Sequence, residues 1–243
     1  MSPPRFFCSV PLQAQQTITL PADLAHYALR VLRLKTGAPI VLFDGQGGQF
    51  DAVLQEQGKS AQACVGAHQA IEAELPGHIT LMQGLPSGDK MDWVIEKAVE
   101  LGAHRLIPIT AQRSVVQLNA ERRAKRLLHW QRVAQSASEQ CGRNRLMKIE
   151  APATLEASLA ARVPQEGPLL LCHPEAGQSL KQALGNAQNL TLMVGPEGGW
   201  SLEEQQLALR QGATPLRFGS RILRTETAGL ALIAAVSALK GWV

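Results

Sequence analysis

The sequence predicts an α/β protein in which a small β-barrel domain precedes a larger domain built on a parallel sheet. From residue 78 onward, short and nearly continuous apolar runs alternate with stretches of helical spacing. Such runs are typical of parallel strands covered on both faces, and their alternation with helices defines the α/β class. Residues 1 to about 70 instead contain recurring short strand-like runs with few helical patterns. A chain of 243 residues is long enough for both parts.

The first domain, placed at residues 1–72, begins with short strand patterns. The run 39–57, "PIVLFDGQGGQFDAVLQEQ", predicts a hairpin because two strand-like segments flank a glycine-rich turn. Further strands are predicted at 16–20 and 60–70. A helix is expected within 22–37, where apolar residues follow helical spacing.

The second domain, residues 73–243, opens with a predicted strand at 78–86. A helix should follow, with Asp89 as its N-cap, Gly102 as its end and one apolar stripe formed by Met91, Val94, Ile95, Ala98 and Val99. After a strand at 105–110, a long helix is expected from Asn119 to Gln140. The residues predicted to face inward from it are Ala124, Leu127, Leu128, Ala134 and Ala137.

The C-terminal third contains three more short apolar strands, at 168–172, 189–194 and 214–218. The last helix, from about Thr225 to Leu239, is apolar on nearly every side and is therefore expected to be buried.

Composition limits the class of protein. With 45% apolar and 18% charged residues, the chain is typical of a soluble globular protein. Its longest apolar run, Ala228–Val236, is far shorter than the ~20 residues that a membrane span needs. The N-terminus has no secretory-signal pattern, and the four cysteines are widely spaced. These features predict a cytoplasmic protein with reduced thiols.

Positive charge is concentrated in one region. Between Arg105 and Lys148 there are ten Lys or Arg residues and two acidic residues, whereas the whole chain carries a net charge of +4. A basic zone on a nearly neutral protein favours a polyanion such as nucleic acid as the partner. A solvated helix face explains the same charges, and charge alone does not decide between the two.

Several common chemistries lack their sequence motifs. The chain contains no GxxxxGK[ST], GxGxxG, GxSxG or HExxH pattern. Cys172 and His173 are neighbours on a predicted strand, so their side chains should point to opposite faces and form a poor metal site. We therefore expect no metal cofactor.

Glycines at two strand ends indicate a binding pocket. Gly195, Gly198 and Gly199 follow the strand 189–194 in "LMVGPEGGWSLEEQ", and Gly219 follows the strand 214–218, ahead of "SRILRTETA". Ligands of parallel α/β sheets bind at the carboxyl ends of strands. Glycine allows close approach of the backbone, so free N–H and C=O groups can contact a flat heterocycle. A plain strand-to-helix turn is the alternative.

These two loops also carry a family resemblance. "LMVGPEGGWS" followed by "FGSRILRTETA" resembles the knot-forming loops of the SPOUT superfamily of S-adenosylmethionine-dependent methyltransferases. The chain is more closely similar to the bacterial 16S ribosomal RNA uridine-N3 methyltransferases, the RsmE family. Its other motifs occur in family order, including "HYALRVLRLKTG", "GDKMDWVIEKAVELGAHRLIPITAQRSV" and "SEQCGRNR". One departure is Leu146–Lys148, where many members carry a proline.

The resemblance implies a fold and an activity. The first domain would be a PUA-like β-barrel that binds RNA, and the second a SPOUT domain whose C-terminal segment forms a trefoil knot. The implied reaction is methylation of N3 of a uridine in 16S ribosomal RNA of the small subunit, with S-adenosylmethionine as methyl donor, no metal, and a homodimer as the active form. The alternatives are a SPOUT enzyme that modifies another base or a ribose 2′-hydroxyl, and a non-catalytic RNA-binding assembly factor.

Site residues follow from the same resemblance. For donor binding they are Leu171, Cys172, His173, Gly195, Pro196, Glu197, Gly198, Ile222, Leu223 and Thr227. For catalysis they are Arg113, Arg221, Arg224 and Glu226. For RNA binding they are Arg5, His26, Arg30, Arg33, Arg122, Arg123, Arg126, Arg143 and Asn144. Structural alternatives remain for several of these residues: Glu226 could cap a helix, Arg224 could pair with a carboxylate, and Ile222 and Leu223 could be core residues. Glu197 would need a raised pKa to act as a general base.

Overall fold

The computed structural model describes residues 3–58, 60–116 and 119–243. The chain forms two compact units. The first comprises Met1–Glu74 together with Ser138–Leu146, and the second comprises Leu75–Ala137 together with Met147–Val243. The predicted division at residue 72 did not anticipate that the segment 138–146 belongs with the first unit.

The first unit is built on a five-stranded sheet. Its strands are β1 (Arg5–Phe7), β2 (Thr17–Thr19), β3 (Pro39–Phe43), β4 (Gln49–Gln57) and β5 (Ser60–Gln69), in the order β1-β3-β4-β5-β2. β3 and β4 pair in antiparallel register, which confirms the predicted hairpin.

One helical segment belongs to the same unit. Helix α1 (Ala22–His26) continues as a π-helical turn at Tyr27–Val31. Its buried Leu24 and Ala28 join the core of the sheet, in which Ile40 and Leu54 are also buried.

The second unit is built on a six-stranded parallel sheet. Its strands are β6 (Ile79–Gly84), β7 (Arg105–Ile109), β8 (Lys148–Ile149), β9 (Leu169–Cys172), β10 (Leu190–Val194) and β11 (Thr214–Leu216), in the order β11-β9-β10-β6-β7-β8. Each neighbouring pair is parallel. Every residue of the central strands β6 and β10 is buried, as their continuous apolar patterns predict.

Six helices are described after the first strand of this sheet: α2 (Lys90–Glu100), α3 (Ala120–Cys141), α4 (Leu155–Ala160), α5 (Leu180–Leu184), α6 (Leu202–Arg210) and α7 (Thr225–Lys240). The predicted apolar stripe of α2 is buried throughout, although Asp89 makes no side-chain cap hydrogen bond. α6 begins with a capping box, in which Ser201 and Glu204 exchange hydrogen bonds with each other's backbone N–H.

Two helix predictions need correction. In α3, Ala124 and Leu128 are exposed, Leu128 by 59%, whereas Trp130, Ala134 and Ala137 are buried. The first half of α3 carries charged residues on nearly every side, so its apolar side chains do not specify a buried face. In α7, Leu239 is exposed because it lies in the last turn of the helix, although most other apolar residues of α7 are buried.

All strands of the parallel sheet point the same way, so their carboxyl ends lie along one edge. The loops after β6, β7, β9, β10 and β11 therefore begin at this edge. The trefoil knot stays a prediction. Among the described residues, no helix is both long enough and apolar enough to cross a membrane.

Candidate active site at the carboxyl edge of the parallel sheet

A cleft of about 510 Å³ lies at the carboxyl edge of the sheet. Two loops contribute most of its lining: the β10 loop, residues 195–200, and the β11 loop, residues 217–224. The end of β9, the first residue of α2 and the start of α7 complete it. The predicted residues that line the cleft are Arg113, Cys172, His173, Gly195, Pro196, Glu197, Arg221, Ile222, Leu223, Arg224 and Glu226.

The β10 loop packs against the end of β6 with no room for a side chain between them. A Cβ atom on Gly84 would lie 2.5 Å from the backbone nitrogen of Pro196 and 2.8 Å from the carbonyl carbon of Gly195. A Cβ on Gly195 would lie 3.2 Å from the backbone of Gly199 and Trp200. The loop is therefore a tight turn whose shape depends on glycine at these two positions.

A buried polar link fixes the same turn to the last helix. Gln83, which is fully buried, donates from Nε2 to Oγ1 of Thr225 at 2.8 Å. The Thr225 hydroxyl donates in turn to the carbonyl oxygen of Gly195. Three segments that are far apart in sequence thus meet at the cleft and are joined by these two hydrogen bonds.

Glu197 is held by several hydrogen bonds. Ser87 donates to its carboxylate from the hydroxyl at 2.7 Å and from the backbone N–H at 3.1 Å, and Lys90 donates from Nζ at 3.0 Å. Burial raises the pKa of Glu197, but the hydrogen bonds from Ser87, the backbone and Lys90 outweigh it and bring the pKa to about 2. A carboxyl with so low a pKa is a weak general base near neutral pH.

Glu226 has a different environment. It lies in the first turn of α7, lines the cleft, and its side chain is 16% exposed. Its Oε1 lies 3.5 Å from Lys90 Nζ. Its Oε2 is buried and has no hydrogen-bond partner among the described residues. A donor N–H from a ligand in the cleft could satisfy this oxygen.

Arg113 lies beside the β10 loop. Its guanidinium donates to the carbonyl oxygen of Gly198 at 3.3 Å. A Cβ on Gly198 would lie 3.0 Å from the Cβ of Arg113 and 3.2 Å from its carbonyl oxygen. Because Gly198 has no side chain, Arg113 can pack directly against the β10 loop. Gly198 itself does not line the cleft.

Two other predicted donor residues also lie outside the lining. Leu171 is 2% exposed and packs in the core beneath the sheet edge. Thr227 is exposed in the first turns of α7, and its backbone N–H donates to the carbonyl of Arg224. Both residues are neighbours in sequence of lining residues but do not themselves line the cleft, so our donor-binding proposal does not include them.

The cleft also contains residues that the sequence analysis missed. Lys90 lines it and contacts two carboxylates, and Trp200 and Phe218 contribute aromatic surface. The tryptophan follows the glycine turn directly, so its position could have been read from the sequence. The lysine could not, because it lies 107 residues before Glu197.

Burial raises the pKa of the Cys172 thiol, so this cysteine is protonated and apolar in character near neutral pH. Within residues 3–58, 60–116 and 119–243, no group of three or more His, Cys, Asp or Glu side chains is placed to hold a metal ion.

Three predicted RNA-binding residues have partners inside the first unit. Arg143 is 2% exposed and pairs with Glu74 at 2.6 Å. Asn144 is fully buried, donates to the carbonyl of Ile71, and accepts from Arg5 at 2.7 Å. These residues hold the segment 138–146 to the sheet, and our proposed RNA-binding set therefore omits Arg5, Arg143 and Asn144.

The remaining predicted RNA-binding residues are more accessible. In the first unit, His26, Arg30 and Arg33 are exposed, and His26 and Arg30 line a shallow cleft along α1. In the second unit, Arg122 is exposed at the start of α3, while Arg123 and Arg126 are partly exposed. Arg126 lies 3.8 Å from Asp89.

Comparison with known proteins places the chain in a family. A family model described as the RNA methyltransferase domain matches residues 73–237, and one described as the RNA methyltransferase PUA domain matches residues 20–63. The fold is thus that of an α/β RNA methyltransferase with an N-terminal PUA domain, as the sequence analysis predicted.

Individual relatives narrow this class. Ribosomal RNA small subunit methyltransferase E of Synechocystis sp. is 34% identical, with coverage of 93% of this chain and 74% of the relative. The protein of that name in Bacillus subtilis is 29% identical, with coverage of 93% of this chain and 91% of the relative. The chain belongs to the ribosomal RNA small subunit methyltransferase E family.

A solved structure agrees with this assignment. The ribosomal RNA small subunit methyltransferase E of Neisseria gonorrhoeae, crystallised with S-adenosyl methionine, is 37% identical to this chain. The two structures superpose with a TM-score of 0.92 over 98% of each chain.

Proposed function

We propose that this protein methylates N3 of a uridine in 16S ribosomal RNA, with S-adenosylmethionine as the methyl donor. The observation that carries the proposal is the cleft at the carboxyl edge of the sheet, whose lining combines the turn at Gly195 and Pro196 with four arginines and the carboxylates of Glu197 and Glu226. Family membership supports the reaction class, and the donor-bound Neisseria relative supports the choice of donor.

The cleft suits such a donor. Its volume of about 510 Å³ falls within the range of about 300–1,000 Å³ that is usual for small-molecule sites. The turn of Gly195 and Pro196 would contact the donor through backbone atoms, with Ile222 and Leu223 as apolar walls and the end of β9 as the floor. When bound, S-adenosylmethionine supplies a methyl group already activated by its positively charged sulfur.

The side chains of the cleft then act on the uridine. N3 of uridine carries a proton and lies on the Watson–Crick edge, so the base must be unpaired before it can enter. Glu226 accepts this proton, because it lines the cleft with one oxygen that lacks a hydrogen bond. Arg113, Arg221 and Arg224 offset the negative charge that develops on the uracil ring. The chain thereby positions the base, stabilises its anion and removes the proton.

RNA binding relies on exposed basic residues of both units. His26, Arg30 and Arg33 belong to the first unit, and Arg122, Arg123 and Arg126 to the second. Contacts of this kind go mostly to phosphates, so affinity should fall with salt and carry little sequence information.

The active form in this proposal is a homodimer in the cytoplasm. We place Ile222 at the dimer contact, because it borders the cleft and its apolar side chain is 85% exposed. Contact with a second chain would cover it and complete the site.

Nucleoside mass spectrometry of 16S RNA after incubation with the protein and donor tests the function. The proposal predicts 3-methyluridine, formed on free RNA or on the assembled small subunit. A 2′-O-methylated nucleoside or another methylated base would mean a different acceptor. RNA binding without binding of S-adenosylhomocysteine would indicate an assembly factor.

A matched pair of glycine variants tests the site. Gly198→Val forces a side chain against Arg113 and should abolish S-adenosylhomocysteine binding while RNA affinity is retained. Gly177→Ala is the control, since a Cβ there meets nothing within 4 Å. Equal loss of both affinities in Gly198→Val would mean that the turn is only structural.

A further inference from the structure

Lys90 is placed between the two carboxylates of the cleft. Its Nζ lies 3.0 Å from Oε1 of Glu197 and 3.5 Å from Oε1 of Glu226. Lys90 is the first residue of α2, Glu197 belongs to the β10 loop, and Glu226 lies in the first turn of α7. One ammonium therefore joins α2, the β10 loop and α7 at the cleft.

The two carboxylates depend on this ammonium to different degrees. Glu197 also accepts the hydroxyl of Ser87 at 2.7 Å and the backbone N–H of Ser87 at 3.1 Å, so it stays anchored without Lys90. Glu226 has Lys90 as its one ion-pair partner among the described residues, and its Oε2 has no hydrogen bond there. Loss of Lys90 should therefore change Glu226 more than it changes Glu197.

We propose that Lys90 is a positioning residue that holds the Glu226 carboxylate oriented for the uridine, while Ser87 keeps the β10 loop in place. The inference rests on the proposed function, because it assigns Lys90 a role in the same reaction. Lys90 itself contacts neither the reacting atoms nor the backbone turn of the donor site in this account.

The ion pair fixes the place of the Glu226 carboxylate, because Lys90 Nζ lies 3.5 Å from its Oε1 and its Oε2 has no hydrogen bond among the described residues. Removing Lys90 takes away this anchor, so turnover should fall while donor binding is kept. The other titratable or charged groups that line the cleft around Glu226 are Arg113, Cys172, His173, Glu197, Arg217, Arg221 and Arg224.

The chain offers a matched control on the same helix. Lys97 also lies between two carboxylates, with Nζ 2.7 Å from Glu96 and 2.7 Å from Glu100. These residues are not part of the cleft. Lys97→Met therefore removes an equivalent ammonium without touching the site.

The experiment compares Lys90→Met, Lys90→Arg and Lys97→Met with the unaltered protein. For each, kcat and kcat/KM with 16S RNA are measured, and S-adenosylhomocysteine affinity is measured by calorimetry. We expect Lys90→Met to lower kcat at least tenfold near neutral pH and to leave S-adenosylhomocysteine affinity within about threefold. Lys90→Arg should restore most of kcat, and Lys97→Met should change neither kcat nor S-adenosylhomocysteine affinity.

Two results would overturn the proposal. One is a Lys90→Met variant that keeps kcat within about threefold of the unaltered protein. The other is a loss of S-adenosylhomocysteine affinity as large as the loss of kcat, which would make Lys90 a support for the donor site. Failure of the proposed function is separately visible, because the unaltered protein would then form no 3-methyluridine in the same assay.

Discussion

The two loops that line the cleft differ in how much of their structure the protein itself specifies. In the β10 loop, Pro196 and Trp200 are buried, and Glu197 is tied to Ser87 and Lys90. In the β11 loop, most residues are exposed, including Arg221, Ile222 and Arg224. The β10 loop is therefore held by contacts within the chain. The β11 loop instead leaves charged and apolar side chains exposed, where a ligand can contact them.

This difference suits the two substrates of the proposed reaction. A small donor gains affinity from a site that needs no ordering on binding, because less conformational entropy is lost. A folded RNA instead presents a negative backbone and an unpaired base, which exposed arginines can meet in several ways. We therefore expect variants of the β10 loop to affect donor binding and stability, and variants of the β11 loop to affect turnover.

The largest effect should come from Gly84→Val, at the contact between β6 and the β10 loop. Its Cβ would lie 2.5 Å from the backbone nitrogen of Pro196, so the loop must move. We expect S-adenosylhomocysteine affinity to fall more than about 100-fold and stability to fall by about 3 kcal/mol. Calorimetry and urea unfolding measure the two effects. Gly84→Ala should give a smaller change in the same direction, and unaltered donor binding in both variants would contradict the fixed-loop account.

The next largest effect concerns Glu197→Gln. The hydrogen bonds lower the pKa of Glu197 to about 2, so the folded state favours the ionised form. This stability is present above the ordinary carboxyl pKa near 4.5 and is lost as pH falls from there through 2. Glu197→Gln should therefore melt at a lower temperature than the unaltered protein at pH 7, with the gap shrinking below pH 4.5. A gap that is constant with pH would mean that ionised Glu197 does not stabilise the loop.

Arginine variants of the β11 loop should separate binding from turnover. Arg221→Ala and Arg224→Ala are each expected to lower kcat/KM with 16S RNA about tenfold, because each removes one contact that stabilises the charge on the uracil. Because both side chains are exposed, S-adenosylhomocysteine affinity should stay within about threefold and stability within about 0.5 kcal/mol. If either variant loses as much donor affinity as turnover, the β11 loop supports donor binding in the same way as the β10 loop.

The smallest effect on stability should come from Ile222→Ser. This side chain is 85% exposed, so its replacement removes little packing within the chain, and unfolding should change by less than about 0.5 kcal/mol. If a second chain covers it, sedimentation should show a weaker dimer. An unchanged dimer together with unchanged donor affinity would leave Ile222 without a role in the site.

The fold could be predicted from sequence because its central strands are buried on both faces. β6 and β10 are rich in apolar residues and are buried at every position, and the stripe of α2 has unambiguous spacing. The first half of α3 was harder, since Ala124 and Leu128 are at helical spacing and yet both are exposed, amid charged residues on nearly every side of the helix.

The site could be predicted only in part. Glycines at strand ends indicate a pocket, but the identity of the ligand followed from family resemblance. Lys90 and Ser87 could not be assigned, because they approach Glu197 only when β6 and β10 pair. Arg5, Arg143 and Asn144 have the composition of an RNA-binding set, yet they bind one another or Glu74. The sequence gives the types of these side chains, but only their contacts in the structure show that they already have partners within the chain.

The central claim is that the backbone of the β10 loop and the apolar side chains of the β11 loop together hold the methyl donor. A crystal structure of the protein with S-adenosylhomocysteine tests it most directly. The account predicts the adenosine between the turn at Gly195 and the side chains of Ile222 and Leu223, with the β10 loop unchanged. Density for the ligand elsewhere, or a β10 loop that rearranges to admit it, would contradict the account.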